Sequence, residues 1–136
     1  MAFEALTIAR VLVLAFFAAC FIQSGVDKIV DWKGNLGWIT DHFGATFMKG
    51  LVPLLLGVIT VLECLTGITC AFAIVVLVTG GGLEIPTAAV GLAGLTLVML
   101  FTGQRIAKDY VGAATLATYF VVAVAGLLAM GYSPAP

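Results

Sequence analysis

Four apolar runs, each long enough to cross a bilayer, constrain this chain more than any other feature. They cover about Phe3 to Ser24, Leu51 to Thr79, Ile85 to Gly103 and Tyr110 to Met130. A hydrocarbon core of ~30 Å needs about 20 helical residues, within a range of about 17 to 25. Lipid offers no partners for backbone N–H and C=O groups, and the runs lack two-residue alternation, so helices are expected rather than a β-barrel. The expectation is an all-α, integral membrane four-helix transmembrane bundle, with residues 1–136 forming one domain. Composition agrees: of 136 residues, 62% are hydrophobic and 10% charged, and the mean hydropathy is +1.21. A water-soluble domain of this size commonly carries about 25% charged residues. Lipid is therefore the expected partner. A net charge of −1 argues against nucleic acid, which calls for a basic face.

The breaks between runs read as turns. Gly80-Gly81-Gly82 ends the second run, Pro86 suits the first turn of the third, and Pro53 suits the start of the second. Residues 103–109 make a short polar hairpin, and Ser133 to Pro136 is expected to be disordered or to lie on a partner. Cys20, Cys64 and Cys70 make no disulfide framework and read as small buried hydrophobes. A Cys20–Cys64 bridge is disfavoured by a depth difference of about 13 Å. Arg10, an apolar stretch and Phe17-Ala18-Ala19-Cys20 loosely resemble a lipoprotein signal. Phe17 and Phe21 flank that site poorly, so the segment is expected to be a retained transmembrane helix.

The loop over residues 25–50 holds most of the charge and both tryptophans. It mixes Leu36, Ile39, Phe43, Phe47 and Met48 with Asp27, Asp31, Lys33, Asp41 and His42. An interfacial segment is expected, with Trp32 and Trp38 as anchors. It is either a membrane-surface connector or a docking or ligand surface. Lys28, Lys33, Lys49, Arg105 and Lys108 fall on one side of the four spans and only Arg10 on the other. The positive-inside rule places the first group in the cytoplasm and both termini in the periplasm.

Glu63 is the most informative residue, because a lone carboxylate deep in a span costs several kcal/mol. Taking Gly25 and Gly50 as marks of one membrane face, Arg10 lies about 22 Å and Glu63 about 20 Å from it. An intramembrane Arg10–Glu63 pair is expected, either pinning two helices together or forming a proton or quinone-headgroup site. Gln23, Asp27, Lys28, Arg105, Lys108 and Asp109 form a second, polar rim cluster, either a solvated rim or a site where Lys28, Arg105 and Lys108 bind an anion or an acidic partner. No residue has a catalytic signature. His42 is the only histidine, which leaves haem between helices without a ligand pair, and no Cys/His spacing suits a metal. Small residues Gly91, Gly94, Ala113 and Ala117 allow the last two spans to approach closely.

Three stretches resemble the DoxX family of small four-helix bacterial membrane proteins. Arg10 followed by Phe21-Ile22-Gln23-Ser24-Gly25-Val26-Asp27-Lys28 is similar to that family's arginine and Phe-x-x-Ser-Gly-x-x-Lys. Gly57, Glu63 and Gly67 are similar to its glycine–glutamate–glycine pattern. Arg105-Ile106-Ala107-Lys108-Asp109-Tyr110-Val111-Gly112-Ala113 is compatible. MauE-type redox-associated membrane proteins share much of the first pattern. The resemblance implies an accessory, non-catalytic subunit of a larger redox or respiratory complex in the bacterial inner membrane, with no cofactor bound by this chain and quinone or lipid nearby. The alternatives are a quinone-linked oxidoreductase subunit of thiosulfate:quinone type, and a small transporter or proton path using Glu63. Repeated halves and broken helices, which mark many transporters, are not evident.

Overall fold

Long apolar stretches without interior proline have one way to satisfy their backbone in lipid, and the chain takes it four times. The computed structural model describes residues 4–133. It consists of α1 (Ala5–Val30), α2 (Trp32–His42), one 3-10 turn (Lys49–Leu51), α3 (Val52–Val78), α4 (Glu84–Ile106) and α5 (Tyr110–Gly131). No strand occurs among the described residues. The chain is an all-α four-helix transmembrane bundle, since α1, α3, α4 and α5 are each long and apolar enough to span.

The turns follow from local chemistry. At the end of α3, Gly80 takes φ +82. Its N–H bonds Leu77 O at 3.2 Å, and Gly81 N–H bonds Val76 O at 2.8 Å. This paired closure satisfies the last carbonyls of the helix and needs a left-handed residue, which glycine adopts without steric cost. The end of α4 uses the same closure, with Lys108 N–H on Arg105 O and Asp109 N–H on Gln104 O. Here a lysine, not a glycine, holds the left-handed position at φ 59. Asp31 and Asp109 cap the helices that follow them, accepting from Gly34 N–H at 3.2 Å and Gly112 N–H at 2.8 Å.

The spans run up and down. α1 packs on α3, α3 on α4, α4 on α5, and α5 returns to α1, so the ring closes. The α1–α3 seam is the tightest because two glycines face it. A Cβ at Gly67 would sit 2.7 Å from Ile22 N, and one at Gly25 would sit 3.2 Å from Cys64 N. In lipid such close backbone approach replaces hydrophobic transfer as the source of helix attraction. Gly94 similarly faces Ala123 of α5, whereas Gly91, also expected at a seam, meets open space.

Packing is uneven along the bundle. Leu14, Phe17 and Phe21 of α1 meet Cys70 and Ala73 of α3, Ala89 to Leu97 of α4, and Ala123 and Met130 of α5 in one filled core. The rings of Phe17 and Phe21 stack at 5.9 Å. That core occupies the half containing the start of α1 and the end of α5. The outer faces are apolar and open, with Leu12, Val61, Ile68, Val121 and Leu128 all more than 60% exposed. Such a surface belongs in lipid.

Two boundaries differ from the sequence expectation. The first span continues through Gly25 to Val30 rather than ending at Ser24. The segment over 25–50 is also mostly helical, comprising the last turn of α1, α2 and the 3-10 turn. Phe3, the expected start of the first run, and residues 134–136 of the tail lie outside the described residues.

Candidate functional site

The continuation of α1 past Gly25 decides where the polar side chains meet. With Gly25 against Cys64 and Ile22 against Gly67, α1 and α3 run antiparallel in a fixed register. Ser24 and Lys28, one turn apart, then face Glu63. Lys28 Nζ lies 2.8 Å from Glu63 Oε2 and donates to Ser24 Oγ at 2.8 Å. Ser24 Oγ in turn donates to Glu63 Oε1 at 3.0 Å. The three groups close a ring. Lys28 is the only partner of Oε2 among the described residues. The Glu63 side chain is 3% exposed and that of Lys28 14%.

The expected Arg10–Glu63 pair is therefore corrected. Gly25 does not end the first helix; it is buried within α1 beside Cys64. The register puts Arg10 level with the far end of α3, about 22 Å from Glu63 along the helix axis. Arg10 instead reaches the C-terminus of α5. Its Nε donates to Ala129 O at 2.9 Å, and Nη2 donates to Tyr132 O at 2.8 Å and Met130 O at 3.5 Å. A guanidinium suits this place, because terminal carbonyls are unsatisfied and carry the negative end of the helix dipole.

The polar rim cluster divides. Lys28 leaves it for Glu63. Gln23 and Asp27 are exposed on α1, with Asp27 Oδ2 accepting from Asn35 at 3.4 Å. Arg105 lies over the Tyr110 ring, 4.6 Å from its centroid. Lys108 and Asp109 serve the α4–α5 turn. Trp32 is 36% and Trp38 60% exposed. The Trp32 ring edge lies 3.9 Å from where a Cβ at Gly57 would stand.

Below the filled core's opposite half, the bundle opens into a cavity of about 660 Å³, a size common for small-molecule sites. Leu55, Leu56 and Ile59 of α3, Val98 and Leu100 of α4, and Leu116 of α5 make its walls apolar. Ser24, Lys28 and Glu63 form one polar patch on the wall, and His42 and Gln104 form another. His42 Nε2 donates to Gln104 Oε1 at 2.7 Å, tying the end of α2 to α4. The His42 ring also stacks on Trp38 at 4.7 Å, so flat aromatic faces line the α2 side. Asp109 Oδ2 is 3.9 Å from His42 Nε2, outside the cavity lining.

Sequence reasoning missed Ser24 and Lys28 as partners of Glu63. The signal was present: Ile22, Val26, Ile29 and Val30 continue the helical apolar stripe past Gly25 with no proline to stop it. It also missed Thr66 and Thr96, both wholly buried, whose hydroxyls meet at 3.0 Å between α3 and α4. Thr96 donates onward to Leu92 O at 2.9 Å, so both hydroxyls are satisfied. Cys20, Cys64 and Cys70 are free. No group of three His, Cys, Asp or Glu side chains placed to hold a metal occurs among the described residues. No protein-family model, curated protein or solved structure matches the chain.

Proposed function

We propose that this protein is an accessory, non-catalytic membrane subunit that holds an amphipathic, membrane-soluble molecule for a larger redox or respiratory assembly. One observation carries the ligand-holding part: a cavity of about 660 Å³ whose apolar walls are interrupted by a neutralised Lys28–Glu63 pair. An apolar cavity with few, placed polar groups binds molecules that have an apolar body and a small polar head. The redox part rests on the resemblance of the Arg10, Ser24-Gly25, Lys28 and Glu63 pattern to DoxX proteins. A bacterial inner membrane follows from the same resemblance. The Lys/Arg distribution favours a cytoplasmic face for the α2 end and periplasmic termini, with Trp32 and Trp38 at headgroup level.

A quinone-linked oxidoreductase subunit is the second reading, favoured by the aromatic faces of Trp38 and His42 on the cavity. The proton-path reading is less well supported, because both carboxylate oxygens of Glu63 are engaged by Ser24 and Lys28.

Purification in a mild maltoside detergent, with organic extraction of the purified protein and identification of its partners, tests the proposal. Expected is an amphipath near one per chain and a haem- or flavin-bearing partner. A colourless homo-oligomer yielding no extractable amphipath would overturn it.

A further inference from the structure

Among the described residues, Lys28 and Glu63 are the only Lys, Arg, Asp or Glu side chains lining the cavity, and they are opposite in sign and 2.8 Å apart. Their charges cancel. Glu63 Oε1 accepts from Ser24 Oγ, and among the described residues Oε2 faces only the Lys28 ammonium. Lys28 has three N–H groups; one is donated to Ser24 Oγ at 2.8 Å, while the ammonium stands 2.8 Å from Glu63 Oε2 as an ion pair without the alignment of a hydrogen bond. Beyond that, its N–H groups have only the Ser24 carbonyl at 3.4 Å, near the outer range of a hydrogen bond. The polar patch can therefore give one donor to a ligand, but it has no charge left to give. Elsewhere, Arg10 is at the opposite end of the bundle on the carbonyls of α5. Lys33, Lys49, Arg105 and Lys108 are exposed and outside the lining. A charged head entering this cavity would lose its hydration with no counter-charge to replace it, which strongly disfavours burial.

We infer that the cavity selects amphipaths whose head is uncharged and carries a hydrogen-bond acceptor, and that it discriminates against fatty-acid anions and cationic amphipaths. The inference rests on the ligand-holding reading above and names the substrate class of that site. Lys28 is the donor to the head, and Glu63 sets the charge preference through Lys28.

The test uses the full chain in nanodiscs of uncharged-headgroup lipid, with a Trp32→Phe background. That change leaves Trp38, one of the two tryptophans, on the cavity lining. Saturable quenching of Trp38 by chain-brominated probes, above the non-saturating quenching given by a brominated lipid in the same bilayer, reports binding. The probes share a ten-carbon chain: methyl decanoate, decanoate and decyltrimethylammonium, with brominated decane lacking any acceptor. Methyl decanoate is expected to bind at least about tenfold tighter than either charged probe, and tighter than the alkane. Glu63→Gln leaves Lys28 unneutralised and should raise decanoate binding about tenfold. Equal or tighter binding of decanoate to the unsubstituted cavity would overturn the inference and leave the ligand-holding reading intact. Failure of every probe to quench Trp38 would overturn both. If Glu63→Gln does not fold, the ranking of probes on the parent cavity still decides.

Discussion

Removing Lys28 alone should cost more than removing both members of the Lys28–Glu63 pair. Glu63 is 3% exposed and Lys28 14%, so the two deletions are not equivalent. Lys28→Met strands a carboxylate that is 3% exposed and loses its only partner at Oε2 among the described residues. Its cost should fall near the upper end of the ~3–5 kcal/mol typical of a broken buried pair. Glu63→Gln strands an ammonium on a long, partly exposed stem that can turn toward the cavity, and the amide still accepts from Ser24. About 2–3 kcal/mol is expected. The double variant replaces a pair whose attraction is largely cancelled by desolvation, so it should be more stable than Lys28→Met alone. The coupling is then about 2 kcal/mol or more, against ~0.5 kcal/mol for independent sites. Equilibrium unfolding in mixed micelles with a denaturing detergent measures all four corners of the cycle. A parallel cycle with Arg10→Met and Glu63→Gln should be additive within ~0.5 kcal/mol. Additive Lys28 and Glu63 effects, or strong Arg10–Glu63 coupling, would refute the register on which the site is built.

Gly67→Ala should destabilise by about 1–3 kcal/mol, because its Cβ meets the Ile22 backbone nitrogen at 2.7 Å and α1 must retreat; Gly91→Ala, facing open space, is the control, and equal effects in the same unfolding assay would contradict the seam. Lys108→Gly should stabilise by up to about 1 kcal/mol by relieving φ 59; a fall in thermal midpoint would show that the α4–α5 turn is not strained there.

The fold was legible because lipid leaves few choices. Four spans, two short hairpins and the helix-starting positions of Pro53 and Pro86 all follow from run length and turn chemistry. The site was legible only in part. Glu63 stood out because a carboxylate in a span demands a partner. Its partner was misassigned because Gly25 was taken as a helix end, when it is a contact glycine that lets α1 press on Cys64. A glycine in a span can do either, and its neighbours decide. Val26, Ile29 and Val30 extend the apolar stripe, and Lys28 extends a side chain long enough to reach back one turn to Ser24 and across to Glu63. The cavity was not legible at all, since side chains from five separate helices enclose it, and no local pattern encodes a void.

The two buried or half-buried cations divide the bundle between them. Arg10 bonds the last carbonyls of α5 from the first turns of α1, so it joins the first and last spans at one end. Beside it the core is filled by Leu14, Phe17, Phe21, Ala89 and Met130. Lys28 joins α1 to α3 at the other half, where the helices part and α2 is tied across to α4 by His42 and Gln104. The cavity lies in that half, where Asn35, Trp38 and His42 of α2 line it together with α3, α4 and α5. The closed half supplies rigidity to hold Ser24, Lys28 and Glu63 in register, and the open half supplies the space they face. That division explains why a chain with so few polar groups concentrates three of them at the boundary between its packed and unpacked halves.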